Sequence, residues 1–301
     1  MSNAELIILE KYIKYDLLNI NPNKQLLKIL VSYIKPSFLF KSKILTPIHL
    51  GRAVEYENSK DGIQDKASID WLHTNCDYSD DFEGGISQYN RRVGFFTGTY
   101  WAWKNYEKLG NPEYFGSFGY RKLLEPNFID NLKQYDIITA KKENCLNLTN
   151  KTQFIKFHGQ HLFNVMLYTF NKYNEKSKQE FEEYLSLIEG YHHEIYIMKK
   201  ETFFDFANWI CILFNSLITN NECYYKKNLT DDITLEDICN RSADYRDIAY
   251  VLEVYTGFYL WQKSKILNFK EVELVSFDKF TRKQNQIRLI NILRNRVKNT
   301  M

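Results

Sequence analysis

The chain has 301 residues, 44% of them hydrophobic and 26% charged, with a formal net charge of +3. That is an ordinary folded composition, long enough for one large domain or two small ones. The charge is too mild for a nucleic-acid binder, no apolar run is long enough for a membrane-spanning helix, and five scattered cysteines without a CxxC pair argue against a zinc ribbon or disulfide frame and for a reduced compartment.

Residues 5–22 carry Leu6, Leu9, Ile13, Leu17 and Leu18 at helical spacing and predict a short amphipathic helix. Glu5, Glu10, Lys11 and Lys14 interrupt that apolar pattern, so no signal peptide is expected and the cytoplasm is the expected location. Residues 26–33 form a β-branched run closed by Pro36, suited to a buried strand. In nucleotide-binding α/β folds the ligand sits beyond the end of such a strand. That marks Ser32, Tyr33 and Lys35 as candidate donor contacts.

Further along, residues 91–108 read as a helix dense in aromatics, and residues 114–118 and 136–140 as strands. Residues 152–173 and 175–190 read as helices, 194–198 as a strand, 201–217 as a helix, and 247–262 as the last long helix. Strands alternating with helices predict an α/β fold with a largely parallel sheet. The organisation expected is an N-terminal helical extension over 1–25, one domain over 26–265, and a basic tail over 266–301. In that tail Arg282, Lys283, Arg288, Arg294, Arg296 and Lys298 lie on an amphipathic pattern, fit either for an anionic membrane surface or for docking on the domain.

Aromatic residues reach 16%, with 22 Tyr and 21 Phe, which suits a bulky core or a cleft that stacks sugars or bases. Several motifs then follow in order. They are Pro47-Ile48-His49-Leu50-Gly51-Arg52-Ala53; Asp80-Asp81 with Gly85-Ile86-Ser87 and Asn90; Tyr100-Trp101-Ala102-Trp103-Lys104-Asn105; and Tyr114-Phe115-Gly116 with Tyr120-Arg121-Lys122. His158, Ile197-Met198-Lys199-Lys200, and Arg246 with Tyr250 and Glu253 complete the series. In order and spacing they resemble the bacterial capsular and exopolysaccharide glycosyltransferase family catalogued as domain of unknown function 4422, over residues 27 to 262. The resemblance implies a GT-A-like, Rossmann-type domain that binds a nucleoside-diphosphate sugar. It implies a UDP-linked hexose of galactose or galactofuranose type, passed to a capsular, exo- or lipopolysaccharide glycan. A lipid-linked acceptor would suit the basic tail lying on the inner face of the cytoplasmic membrane. Gly119, Ile34, Glu194 and Phe95 depart from the family pattern, where His, His, Asn and Glu are usual.

The chemistry of such a transfer assigns roles. A divalent Mg²⁺ or Mn²⁺ ion on a DxD motif commonly neutralises the diphosphate. This chain has no DxD, so metal use stays open between Asp80 or Asp81 and cationic neutralisation by Arg121 and Lys122, or by Arg91 and Arg92. Gly51, Ser87, Asn90, Trp101, Lys104 and Tyr120 complete the candidate donor set, and His158 and Arg246 the candidate substrate contacts. Glu253 is the candidate base, unless it pairs with Arg246 about two helical turns earlier; Glu194 is the second candidate. His158 and His161 lie three apart on a predicted helix, a metal pair or two core histidines. A catalytically inactive sugar- or nucleotide-binding module of the same fold is the competing reading.

Overall fold

The computed structural model describes residues 3–19, 25–58, 62–144, 147–227 and 246–277. The predicted basic helix of the tail lies outside these residues. A nine-stranded mixed sheet forms the centre among the described residues, flanked by helices. Its strands are β1 (Leu27–Tyr33), β2 (Leu45–His49), β3 (Tyr78–Ser79), β4 (Tyr114–Gly119), β5 (Lys122–Leu124), β6 (Ile137–Ala140), β7 (Tyr196–Lys199), β8 (Phe269–Val272) and β9 (Leu274–Ser276). The order is β3-β2-β1-β4-β7-β6-β8, with β5 on β4 and β9 on β5. Strands β3, β2, β1 and β4 run parallel. β7 runs antiparallel to both β4 and β6, and β8 returns parallel to β6.

Side chains alternate across this sheet, as period-two geometry requires. Leu30, Phe115, Ile137, Tyr196 and Met198 face one core, and Ile29, Val31, Tyr114, Ile138 and Ile197 face the other. On the first face lie α4 (Phe96–Lys104), α5 (Asn150–Tyr173), α6 (Lys178–Ser186), α7 (Lys200–Lys227) and α8 (Asp247–Ser264). On the second lies α1 (Asn3–Ile13), whose buried Tyr12 hydroxyl donates to the Leu124 carbonyl at 2.7 Å. The aromatic surplus is mostly core, as in the Phe170–Phe181 stack at 3.9 Å.

Two segments flanking the central stretch of the chain join the sheet and its core. The N-terminal segment packs into the second core through Ile8 and Tyr12. The tail read as beginning at 266 first supplies β8 and β9 to the sheet, and the Glu125 N–H donates to the Glu273 carbonyl at 2.9 Å. These two strands are short, and Lys270, Glu271 and Glu273 break their apolar pattern, so no periodic signal announced them. The helix predicted over 152–173 is interrupted at Gly159, which has φ +87°.

Gly257 of α8 fixes how closely the helix layer approaches the segment before β7. A Cβ there would lie 2.5 Å from the Tyr191 carbonyl oxygen and collide with the Tyr184 hydroxyl. Overpacking of this kind costs roughly 1–3 kcal/mol. Gly257→Ala should therefore lower the melting temperature in a thermal denaturation; an unchanged midpoint would show that this contact yields freely.

Candidate active site

The parallel strands end along one edge of the sheet, where open α/β folds bind their ligands. Because β7 runs antiparallel to β4, its N-terminal approach reaches that same edge. An open cleft of about 200 Å³ lies there, lined by residues after β6 (Glu143), on α5 (Asn150, Gln153, Phe157, His158), before β7 (His192, His193) and on α8 (Tyr250, Glu253).

Glu253 is its organising carboxylate. The His193 backbone N–H donates to Glu253 Oε1 at 2.7 Å, and the His193 Nδ1 lies 3.9 Å from the same oxygen. Arg246 does not pair with Glu253; the partner is His193. The His193 backbone has φ +73°, a left-handed conformation that residues other than glycine seldom adopt. Strain of this sort costs about 1–3 kcal/mol and persists where surrounding contacts over-determine it. Here the ring supplies those contacts, lying 3.0 Å from Lys122 Nζ through Nδ1 and 3.3 Å from Glu143 Oε2 through Nε2. That hydrogen bond with His193 is the main cause holding Glu143 below the usual carboxylate range.

Part of the Glu194 surface is exposed, yet its carboxyl group is enclosed. Burial first, and the Glu253 charge second, push it well above the ordinary value. His158 stacks on Tyr250 with ring centroids 3.9 Å apart, and burial lowers its pKa against the opposing pull of Glu253. Phe157, 56% exposed, stands at the mouth. Three buried polar atoms in this lining have no hydrogen-bond partner among the described residues: Asn150 Oδ1, Gln153 Oε1 and His192 Nε2. Orphaned buried polar groups are rare and costly, and a cleft that gathers three is suited to a polar ligand.

A profile of the family described as domain of unknown function DUF4422 matches residues 28–231. The chain belongs to this family. Among solved structures, an apo structure of WbbM, a bifunctional glycosyltransferase, is similar at a TM-score of 0.62 and 18% identity. The likeness covers 85% of this chain and 46% of that one, so the chain spans less than half of the WbbM chain and shares its fold. No curated protein matches.

Within this DUF4422 chain the motif residues part company. Lys122, His158 and Glu253 meet in or at the cleft, with Glu194 beside them. A second group builds the turn after β2. Asp80 Oδ2 accepts from the Gly51 N–H at 2.8 Å, and Asp80 Oδ1 from the Arg52 N–H at 3.1 Å and the Ser87 hydroxyl at 2.5 Å. Asn90 donates to the Gly94 carbonyl and to Thr97, and a Cβ on Gly51 would sit 2.7 Å from its Oδ1. Asp80 is 1% exposed with these donors filling its lone pairs, so the Asp80-Asp81 pair presents a single exposed carboxylate, Asp81, to any Mg²⁺- or Mn²⁺-type ion.

A third group is core. Tyr33 and Tyr120 stack at 5.4 Å, and Trp101 packs on Tyr78 at 4.7 Å. Lys104 lies over the Trp103 ring at 3.6 Å, Arg121 is exposed over Tyr120, and Lys35 is half-buried after β1. Arg91 donates to the Val54 carbonyl at 2.6 Å, and Arg92 grips Asp247 through two nitrogens, so both alternative cations have internal partners. Gly159 separates His158 from exposed His161, which breaks the helical spacing that would have paired them. Ser32 Oγ is buried at the end of β1, beside β4, and has no hydrogen-bond partner among the described residues. Two departures from the family pattern also meet: a Cβ on Gly119 would touch the Phe95 ring at 3.4 Å.

Sequence reasoning missed Glu143 and the His192-His193 pair. Their signal was position, an acid just after one strand and a histidine doublet just before another.

The Glu194 shift gives a pH test. Its folded-state pKa is raised, so its contribution to stability is complete below the ordinary value of 4.5 and is lost as pH rises through the folded value. Melting temperatures of the wild-type chain should fall over that interval, and Glu194→Gln should remove this component. Parallel pH profiles for the two proteins would place the carboxyl group in solvent.

Proposed function

We propose that the chain is a glycosyltransferase that moves a hexose from a nucleotide-sugar donor to a growing surface glycan. The donor is UDP-linked, with a hexose of galactose or galactofuranose type, and the acceptor is a capsular, exo- or lipopolysaccharide chain, free or lipid-linked. The observation that carries this reading is the cleft at the carboxyl edge of the sheet. It combines a carboxylate, a stacked His158–Tyr250 pair, an exposed Phe157 and three unpartnered polar atoms. Sugars need both kinds of surface, an aromatic face for the C–H side of the ring and polar groups for the hydroxyls.

In this reading Glu253 accepts the proton of the acceptor hydroxyl as the new C–O bond forms and the bond to the diphosphate breaks. His193 positions Glu253 through its backbone N–H. Glu194, held toward its protonated form, leaves the base role to Glu253. Lys122 brings a cation to the cleft for the leaving diphosphate, with exposed Arg121 beside it in sequence. Asp80, Gly51, Ser87 and Asn90 fix the turn after β2 and the segment that follows β3. A second reading, a binding module of this fold without catalysis, is favoured by one observation: apolar Phe95 packs at Gly119, at positions where the family usually carries Glu and His. Slow hydrolysis of a nucleotide sugar separates the two, since a pure binding module releases no nucleotide diphosphate.

UDP should raise the melting temperature, with stabilisation of about 2.7 kcal/mol at a hundredfold excess over Kd. A flat titration would remove the donor assignment. Glu253→Gln keeps an acceptor for the His193 N–H but loses the base, so transfer should fall by roughly 10²-fold or more while the UDP-induced thermal shift survives. Loss of fold, binding and turnover together would make Glu253 a structural partner instead.

A further inference from the structure

Apart from the cleft, a second cluster of ligating groups lies where β2 ends. His49 is the last residue of that strand and is 1% exposed. Neither of its ring nitrogens has a hydrogen-bond partner among the described residues. A neutral imidazole carries one N–H donor and one lone pair, and burying both unmet is costly. The ring faces a carboxylate: His49 Nδ1 lies 3.8 Å from Glu55 Oε2, itself buried. The same oxygen lies 2.8 Å from Nε2 of His73, on α2 (Lys66–Asn75). The two imidazole rings are tilted 41° with centroids 5.8 Å apart, and one ligand atom from each of the three residues falls within 4.8 Å of the others.

We propose that His49, Glu55 and His73 bind one divalent cation of the zinc class. Two imidazoles and a carboxylate are a borderline-metal ligand set, whereas Mg²⁺ and Ca²⁺ prefer oxygen alone. Bonds of about 2.0–2.1 Å to a tetrahedral ion place ligand atoms roughly 3.3 Å apart, and the observed 2.8 and 3.8 Å lie on either side of that value. The ion supplies the partner that the buried His49 ring lacks. Three protein ligands leave the fourth position to water or an incoming ligand, on the side of exposed His73. Arg52 Nε, 3.6 Å from Glu55 Oε2 and 35% exposed, is the group an ion displaces, and its side chain has solvent to move into. Binding clips the end of β2 and the turn after it to α2. This site is independent of the glycosyltransferase reading, because none of its three residues lines the cleft.

The test uses the untagged full-length chain, stripped with a chelator and titrated with Zn²⁺ by calorimetry and with Co²⁺ by visible absorption. The wild-type chain should take up one ion, show Co²⁺ ligand-field bands and melt at a higher temperature with Zn²⁺. His73→Ala, at an exposed position that leaves the fold intact, should weaken Zn²⁺ binding by more than about a hundredfold. His73→Gln serves as a second, more conservative variant with the same expected loss. His161→Ala, at an exposed histidine outside the cluster and the cleft, should leave Zn²⁺ affinity unchanged. A wild-type chain that binds neither ion, His73 variants of wild-type affinity, or loss of binding in His161→Ala instead would each overturn the proposal. The three residues would then be a hydrogen-bonded His–Glu pair beside a buried ring.

Discussion

The hydrogen bond from the His193 backbone to Glu253 connects the two layers on which the cleft depends. Glu253 lies on α8, whose neighbours Val251, Leu252 and Tyr255 are fully buried, and His193 lies on the segment that leads into β7. The bond holds that segment against the helix, and Gly257, one turn further along α8, lets the backbone approach closely enough to make it. The left-handed His193 backbone is the cost of this arrangement, and the ring contacts to Lys122 and Glu143 hold it in place. The same residue therefore links α8, the β4–β5 hairpin and the end of β6 at one point.

Around that point the sheet assigns each edge a different task. The antiparallel entry of β7 brings His193 and Glu194 to the carboxyl ends of β4 and β6, which a wholly parallel sheet would not do. On the other side of β1, the ends of β2 and β3 are occupied by internal chemistry. Asp80 gathers the turn after β2, and His49, Glu55 and His73 cluster below it. No helix among the described residues is long and apolar enough to cross a membrane.

Much of this was legible in the sequence wherever apolar periodicity ran long enough. β1, β4, β7, α5, α7 and α8 all lie where short apolar runs or helical stretches of the sequence place them. Glu253 stood out because it interrupts an apolar helix, and His158 through its motif. What stayed hidden was of another kind. Asp80, Ser87, Gly51 and Asn90 read as donor contacts, yet Asp80 accepts from Gly51, Arg52 and Ser87, and Asn90 donates to Gly94 and Thr97. Sequence carries no sign of which donors a carboxylate will meet 28 or 29 residues away. Tyr33 and Tyr120 read as donor contacts and stack on each other in the core. The roles of Glu143 and His193 depend on an antiparallel strand direction and a positive φ, neither of which composition encodes.

The central claim is that Glu253 meets an acceptor hydroxyl in this cleft. A crystal structure of the Glu253→Gln chain with UDP and a glycan acceptor tests it directly. The account places an acceptor hydroxyl within roughly 3.2 Å of the residue 253 side chain, the sugar ring against the His158–Tyr250 pair, and ligand atoms on Asn150, Gln153 or His192. An acceptor bound elsewhere, with residue 253 still engaged only by His193, would contradict it.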